Sequence, residues 1–171
     1  LCRDHGGPWQ NNLEIIKKYN LKQAMNSAKE SYLEDIKNDF KIIHIDASIN
    51  LNPSNKINDA LDRTYELYEF CYMQAKKLKK DILIEVGTEE QTGTTNTFEE
   101  IEFFLNKLVK FCELKKLPKL FFIVLQSGTK VMEMKNIGIF ESIVRIKNEL
   151  PVEIQIFKLL EICKKFGVYF K

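Results

Sequence analysis

The chain has 171 residues, of which 44% are hydrophobic and 29% charged, and it carries a formal net charge of +2. That length suits one domain with a real core and is too short for two ordinary ones, and the balance excludes a disordered chain. Interleaved acids and bases give no electrostatic case for nucleic acid or a membrane surface, and no apolar run approaches the roughly 20 residues that cross a bilayer.

Leu1–Arg3 reads as the tail of a strand that runs straight into Asp4-His5-Gly6-Gly7. No Met or leader precedes it, as expected of a piece of a longer protein. A helix follows from Leu21 to about Phe40, with Leu21, Ala24, Met25, Ala28, Tyr32, Leu33 and Ile36 at helical spacing. Ile42–Asp46 is a short β-branched strand. Ile57, Leu61, Tyr65, Tyr68, Tyr72 and Ala75 mark the next helix, with Ser54 or Asn55 as its cap. Its lysine-rich end, Lys76-Lys77-Leu78-Lys79-Lys80, suits the helix dipole as a solvated terminus.

Ile82–Val86 is a second strand. Thr97 with Glu100 forms a capping box for a helix to about Leu114, with Ile101, Phe104, Leu105, Leu108 and Cys112 inward. Leu120–Leu125 is a third strand, after the helix stop at Leu117-Pro118. Phe140–Asn148 and Glu153–Lys165 read as shorter helices broken at Pro151, and Val168–Phe170 begins a later strand. The four cysteines, Cys2, Cys71, Cys112 and Cys163, show no metal-ligand spacing. Three fall on apolar helix faces, which suits buried free thiols and a cytoplasmic location.

Near-continuous apolar strands alternating with helices imply an α/β fold with parallel strands buried on both faces. A barrel and an open doubly wound sheet both fit this alternation. Polar residues gather at four strand ends: Asp4-His5, Asp46-Ala47-Ser48, Glu85 to Glu89, and Gln126-Ser127-Gly128-Thr129-Lys130. In a (β/α)8 barrel those ends converge on one site, so the expectation is a TIM-barrel fragment filling residues 1–171.

Each strand end offers different chemistry. His5 is a candidate metal ligand, and Asp4 beside it a candidate proton-transfer acid. Gly6 and Gly7 would let backbone and substrate approach closely. Asp46, at its strand end, is a site candidate. His44, on the same face by alternation, reads more readily as a core or interface histidine, the face itself being left open. Glu85 lies late in a hydrophobic strand, where a carboxylate needs a metal, a base or a substrate hydroxyl as partner, and Glu89 lies just past the Gly87 bend. Gln126, Ser127, Gly128 and Lys130 offer hydroxyl, glycine and cation to hold sugar hydroxyls or phosphate. Neither a P-loop, a dinucleotide fingerprint nor a serine-nucleophile elbow occurs.

DHGGPWQ, IHIDAS, EVGTE and VLQSGTKVMEMKNIG, in that order, resemble the tagatose-bisphosphate aldolase Z-type subunit family, which is related to class II ketose-bisphosphate aldolases. The resemblance runs the length of the chain and implies about strands 3 to 7 of a TIM barrel acting on sugars or sugar phosphates. It implies His5 as a metal ligand and Asp4 as the catalytic acid, with Asp46 and Glu85 near a divalent metal, zinc in the first instance. It also implies a non-catalytic subunit that supports a separate catalytic aldolase subunit. Where class II aldolases carry a second histidine, this chain has Gln126-Ser127-Gly128. Three readings follow: a supporting subunit of an oligomeric aldolase system, a metal-dependent aldolase or epimerase in its own right, or an inactive barrel fragment.

Overall fold

The computed structural model describes residues 1–49, 56–87, 97–125, 131–132, 135–136 and 152–171. Along the chain lie α1 (Asn12–Ile16), α2 (Leu21–Lys37), β1 (Ile42–Asp46), α3 (Lys56–Leu78), β2 (Leu83–Gly87), α4 (Phe98–Lys115), β3 (Phe122–Val124), β4 (Val131–Met132), β5 (Lys135–Asn136), α5 (Val152–Phe166) and β6 (Tyr169–Phe170). The fold is α/β: β1, β2, β3 and β6 form a parallel sheet in that order, and β4 and β5 form a separate antiparallel pair. Cys2 adds a parallel bridge to Ile42, so the N-terminal segment continues the sheet beyond β1 as a fifth parallel neighbour.

Local chemistry explains where the helices begin and end. Asn20 and Gln23 make a reciprocal capping box at the start of α2, and Thr97 and Glu100 make one at α4, as the spacing of Thr97 and Glu100 predicts. The last turn of α3 holds Lys76 and Lys77 against the helix dipole, and Lys80 beyond it bonds Asp39. Short α1 and the β4–β5 pair carry no strong periodic signal in the sequence, being shorter than the windows in which periodicity is measurable.

Alternation along the strands divides the sheet into two faces. Ile43, Ile45, Ile84, Val86 and Ile123 are all fully buried on one of them. There they meet Met25, Ala28, Tyr32 and Ile36 of α2, Leu61, Leu67, Tyr68 and Cys71 of α3, Leu105, Leu108 and Cys112 of α4, and Leu159 and Cys163 of α5. Burying each such aliphatic side chain stabilises the fold by about 1.5–3 kcal/mol. Neighbouring helices pack in chain order, α2 on α3, α3 on α4 and α4 on α5. Cys71, Cys112 and Cys163 are buried free thiols in this layer, and Cys2 is exposed. Among the described residues, no helix is long and apolar enough to cross a membrane.

Differences from the sequence reading lie at element edges. Ile82 and Leu120 precede their strands rather than opening them, although both are buried. Leu21, at the first turn of α2, is 48% exposed, because the chain enters the helix from solvent before the stripe turns inward. The expected helix Phe140–Asn148 and the caps at Ser54 and Asn55 lie outside the described residues.

Candidate functional site

The second face of the sheet is lined by residues in register across the strands. His44 lies opposite Glu85, Glu85 opposite Phe122, and Phe122 opposite Tyr169, while Asp46 lies opposite Gly87. This face therefore carries His44, Asp46 and Glu85 where the other carries isoleucines. The three polar side chains are 1–2% exposed, and each is held by specific partners.

Residues 4–10 fold over the end of β1. The Gly6 carbonyl accepts from the Asp46 amide at 2.6 Å, and the Gln10 side chain donates to the Asp46 carbonyl at 3.3 Å. A Cβ at Gly7 would collide with the Asp46 carbonyl oxygen, so glycine is required for the segment to lie so close. The close approach is to the protein's own backbone rather than to a substrate. Trp9 anchors the segment: its amide donates to Glu14 of α1 at 2.6 Å and its indole to the Tyr19 carbonyl at 2.9 Å. Arg63 of α3 lies over the Trp9 ring and donates to the Ala47 carbonyl at 2.8 Å.

His5 is left at the rim, with a left-handed backbone (φ 36°) and a side chain 43% exposed. Its Nδ1 lies 3.2 Å from Asp46 Oδ2, and its Nε2 lies 3.9 Å from Asp4 Oδ1. Asp46 Oδ1 accepts from the Ser48 amide at 3.0 Å. Burial pushes the Asp46 carboxyl up, but the hydrogen bonds from His5 and Ser48 more than offset this and hold it below its ordinary value. Asp46 is thus an ionised, fixed orienter of the His5 ring. Asp4 is 89% exposed at its side chain.

Behind His5 lies His44, the two ring centroids 4.9 Å apart. Tyr32 of α2 donates to the His44 carbonyl at 3.1 Å, tying β1 to the helix layer. Nδ1 of His44 accepts from the His5 amide at 3.3 Å and lies 3.3 Å from Glu85 Oε1. Both Glu85 oxygens lie 3.0 Å from Nζ of Lys171, which reaches over β3 from the end of β6. Burial pushes the His44 imidazole below its ordinary value, although Glu85 and Asp46 pull the other way, so the ring is neutral. The hydrogen bond to Glu85 raises the Lys171 ammonium, which stays charged. Burial, with Glu85 next, pushes the Cys2 thiol up, so it is not an activated nucleophile.

The sequence-predicted candidates are therefore partly united. His5, Asp4, Asp46, Ser48 and Glu85 share one rim and one sheet face; Glu89, Gln126, Ser127, Gly128 and Lys130 lie outside the described residues. Sequence reasoning passed over Lys171 and left His44 on an undecided face. Strand alternation puts Lys171 on the same side as Tyr169, and the register through Phe122 makes that the side of Glu85. Among the described residues, no group of three or more His, Cys, Asp and Glu side chains converges to hold a metal ion, and His5 Nδ1 is engaged by Asp46. The described residues thus do not make up a three-ligand zinc site.

No protein-family model matches the chain, and no curated protein matches it by sequence. Among solved structures it is similar to that of a probable tagatose 6 phosphate kinase from Sinorhizobium meliloti 1021, with a TM-score of 0.65 and 16% sequence identity. The match covers 100% of this chain and 40% of that one, so this chain spans well under half the length of its structural neighbour. At that identity the likeness establishes a shared α/β fold.

Proposed function

We propose that this protein serves carbohydrate metabolism by binding a ketose phosphate at the rim of a (β/α)8 barrel and moving a proton on it. The barrel reading is supported by a parallel sheet whose strands follow chain order without reversal, and by consecutive helices packed side by side on one face. A doubly wound sheet reverses its strand order and carries helices on both faces. The name of the structural neighbour, a probable tagatose 6 phosphate kinase, points to the same class of substrate.

One observation carries the chemistry: an imidazole at the rim, His5, backed by a buried carboxylate, Asp46, at 3.2 Å. With Nδ1 held by Asp46, Nε2, 3.9 Å from Asp4 Oδ1 on a half-exposed side chain, is the nitrogen that would take the proton from the carbon beside a ketose carbonyl. The carbon–hydrogen electron pair then moves into an enediolate. Return of the proton to the opposite face epimerises that carbon. In a retro-aldol cleavage the base would instead take the proton of the hydroxyl one carbon further on; the carbon–carbon bond between would break, that carbon would leave as an aldehyde, and the shorter enediolate would then be protonated. Glu85 is held by Lys171 beneath the rim.

The test is proton exchange in deuterated water by the full-length protein, with D-tagatose 6-phosphate and D-fructose 6-phosphate as probes. Deuterium should enter the carbon next to the carbonyl, and His5→Ala should lower the rate at least a hundredfold. A protein that binds neither sugar and exchanges no proton, yet raises the activity of a separate aldolase subunit, would assign it the supporting role instead.

A further inference from the structure

The buried face beneath the rim contains one polar atom with no partner among the described residues whose position the proton-transfer reading does not use: Nε2 of His44. The residue is 2% exposed. Its tautomer follows from its neighbours. The His5 amide can only donate, and it points at Nδ1 from 3.3 Å, so Nδ1 presents its lone pair and the ring proton resides on Nε2. Glu85 Oε1, 3.3 Å from that same lone pair, is tolerated because Lys171 lies 3.0 Å from both carboxylate oxygens. The outcome is a fixed, neutral imidazole with a buried N–H donor that lacks an acceptor. Such a donor costs about 1–3 kcal/mol when left unpaired.

The ring has its place because residue 87 has no side chain. A Cβ on Gly87 would come within 2.5 Å of His44 Nε2 and 3.3 Å of Asp46 Cβ. The donor therefore lies directly over the Gly87 backbone, beside Asp46, at the end of β2. His5 stands beside it, its ring centroid 4.9 Å away.

We infer that His44 is a substrate-contacting residue whose Nε2–H donates a hydrogen bond to the carbonyl oxygen of the bound sugar, next to the carbon that His5 deprotonates. This rests on the proposed function and adds its electrophile. Charge that builds on the carbonyl oxygen during enediolate formation needs a preorganised donor, and a neutral imidazole supplies one without taking a proton from its neighbours.

Two measurements test it on the full-length protein. The first is the nitrogen-15 spectrum of the histidine side chains without ligand: His44 should show a protonated Nε2 and a bare Nδ1, and the reverse tautomer overturns the inference. The second compares His44→Gln, whose amide nitrogen falls near Nε2, with His44→Asn, whose polar atoms fall near Nδ1. Affinity for D-tagatose 6-phosphate should drop about tenfold in His44→Asn and stay within about threefold in His44→Gln. Equal affinity in all three proteins, or rescue by Asn instead of Gln, would reduce His44 to a support for the His5 turn and overturn the inference. If the wild type binds neither D-tagatose 6-phosphate nor D-fructose 6-phosphate and exchanges no proton, the proposed function falls and the inference with it. If it binds and exchanges while the variants behave alike, the proposed function stands and the inference alone falls.

Discussion

Ile84 and Glu85 are adjacent in β2 and almost equally buried, at 0% and 1% exposure, yet they need opposite surroundings. Ile84 points into the helix layer, where nondirectional burial is enough and many aliphatic neighbours would serve. Glu85 points to the other face, where a carboxylate persists because Lys171 meets both of its oxygens at 3.0 Å. The helix-covered face is therefore tolerant of chemistry and intolerant of volume. The opposite face is tolerant of neither where its charges meet, but relaxed at its edges, where Leu83 and Tyr169 are 42% and 61% exposed.

The contrast can be broken at several points. The largest effect is expected from Ile84→Ala, which should lower unfolding free energy by about 3 kcal/mol through transfer and cavity terms, read by denaturant titration. A loss below about 1 kcal/mol would mean that the helix layer is not packed on this strand. Gly87→Ala should come next, at about 2 kcal/mol, because the new Cβ must displace the His44 ring. It should also weaken sugar-phosphate binding, whereas Ile84→Ala should leave the affinity of the folded fraction unchanged.

Lys171→Met removes the ammonium from a buried carboxylate and should destabilise by about 1 kcal/mol, the half-exposed lysine being partly screened by solvent. If it proves neutral, the ion pair contributes nothing that water does not replace. Leu83→Ala, one residue from Ile84 but on the other face, should lose less than about 1 kcal/mol. A loss as large as that of Ile84→Ala would mean that Leu83 is covered in solution.

The smallest effect is on pH dependence. Burial lowers the His44 pKa, so on acidification the unfolded chain takes up a proton that the folded chain refuses. Stability from this group is fully present above about pH 6.5, the ordinary histidine value, and declines as pH falls toward the folded value. His44→Gln should flatten that part of the stability profile. An unchanged slope would show that His44 is solvated in the folded protein.

Local and periodic features were legible without coordinates. Thr97 and Glu100 announce the cap of α4, and the spacing of Ile101, Phe104, Leu105, Leu108 and Cys112 announces its buried stripe. Both depend on residues within a few positions of one another, which is the range over which backbone geometry dictates contact. His5 and Asp46 could each be singled out as polar residues at strand ends. Their hydrogen bond could not, because it joins residues 41 positions apart and requires the Gly7 segment to fold onto the end of β1.

What the sequence by itself determined is the alternation of strands and helices, the apolar layer between them and the presence of polar strand ends. Each follows from periodicity and capping along a single element. Which face His44 occupies, that Lys171 answers Glu85, and that Gly87 makes room for an imidazole were decided by the tertiary structure alone. The pleat says that residues 44 and 46 share a side, but it is the helices packed against Ile43 and Ile45 that determine which side that is.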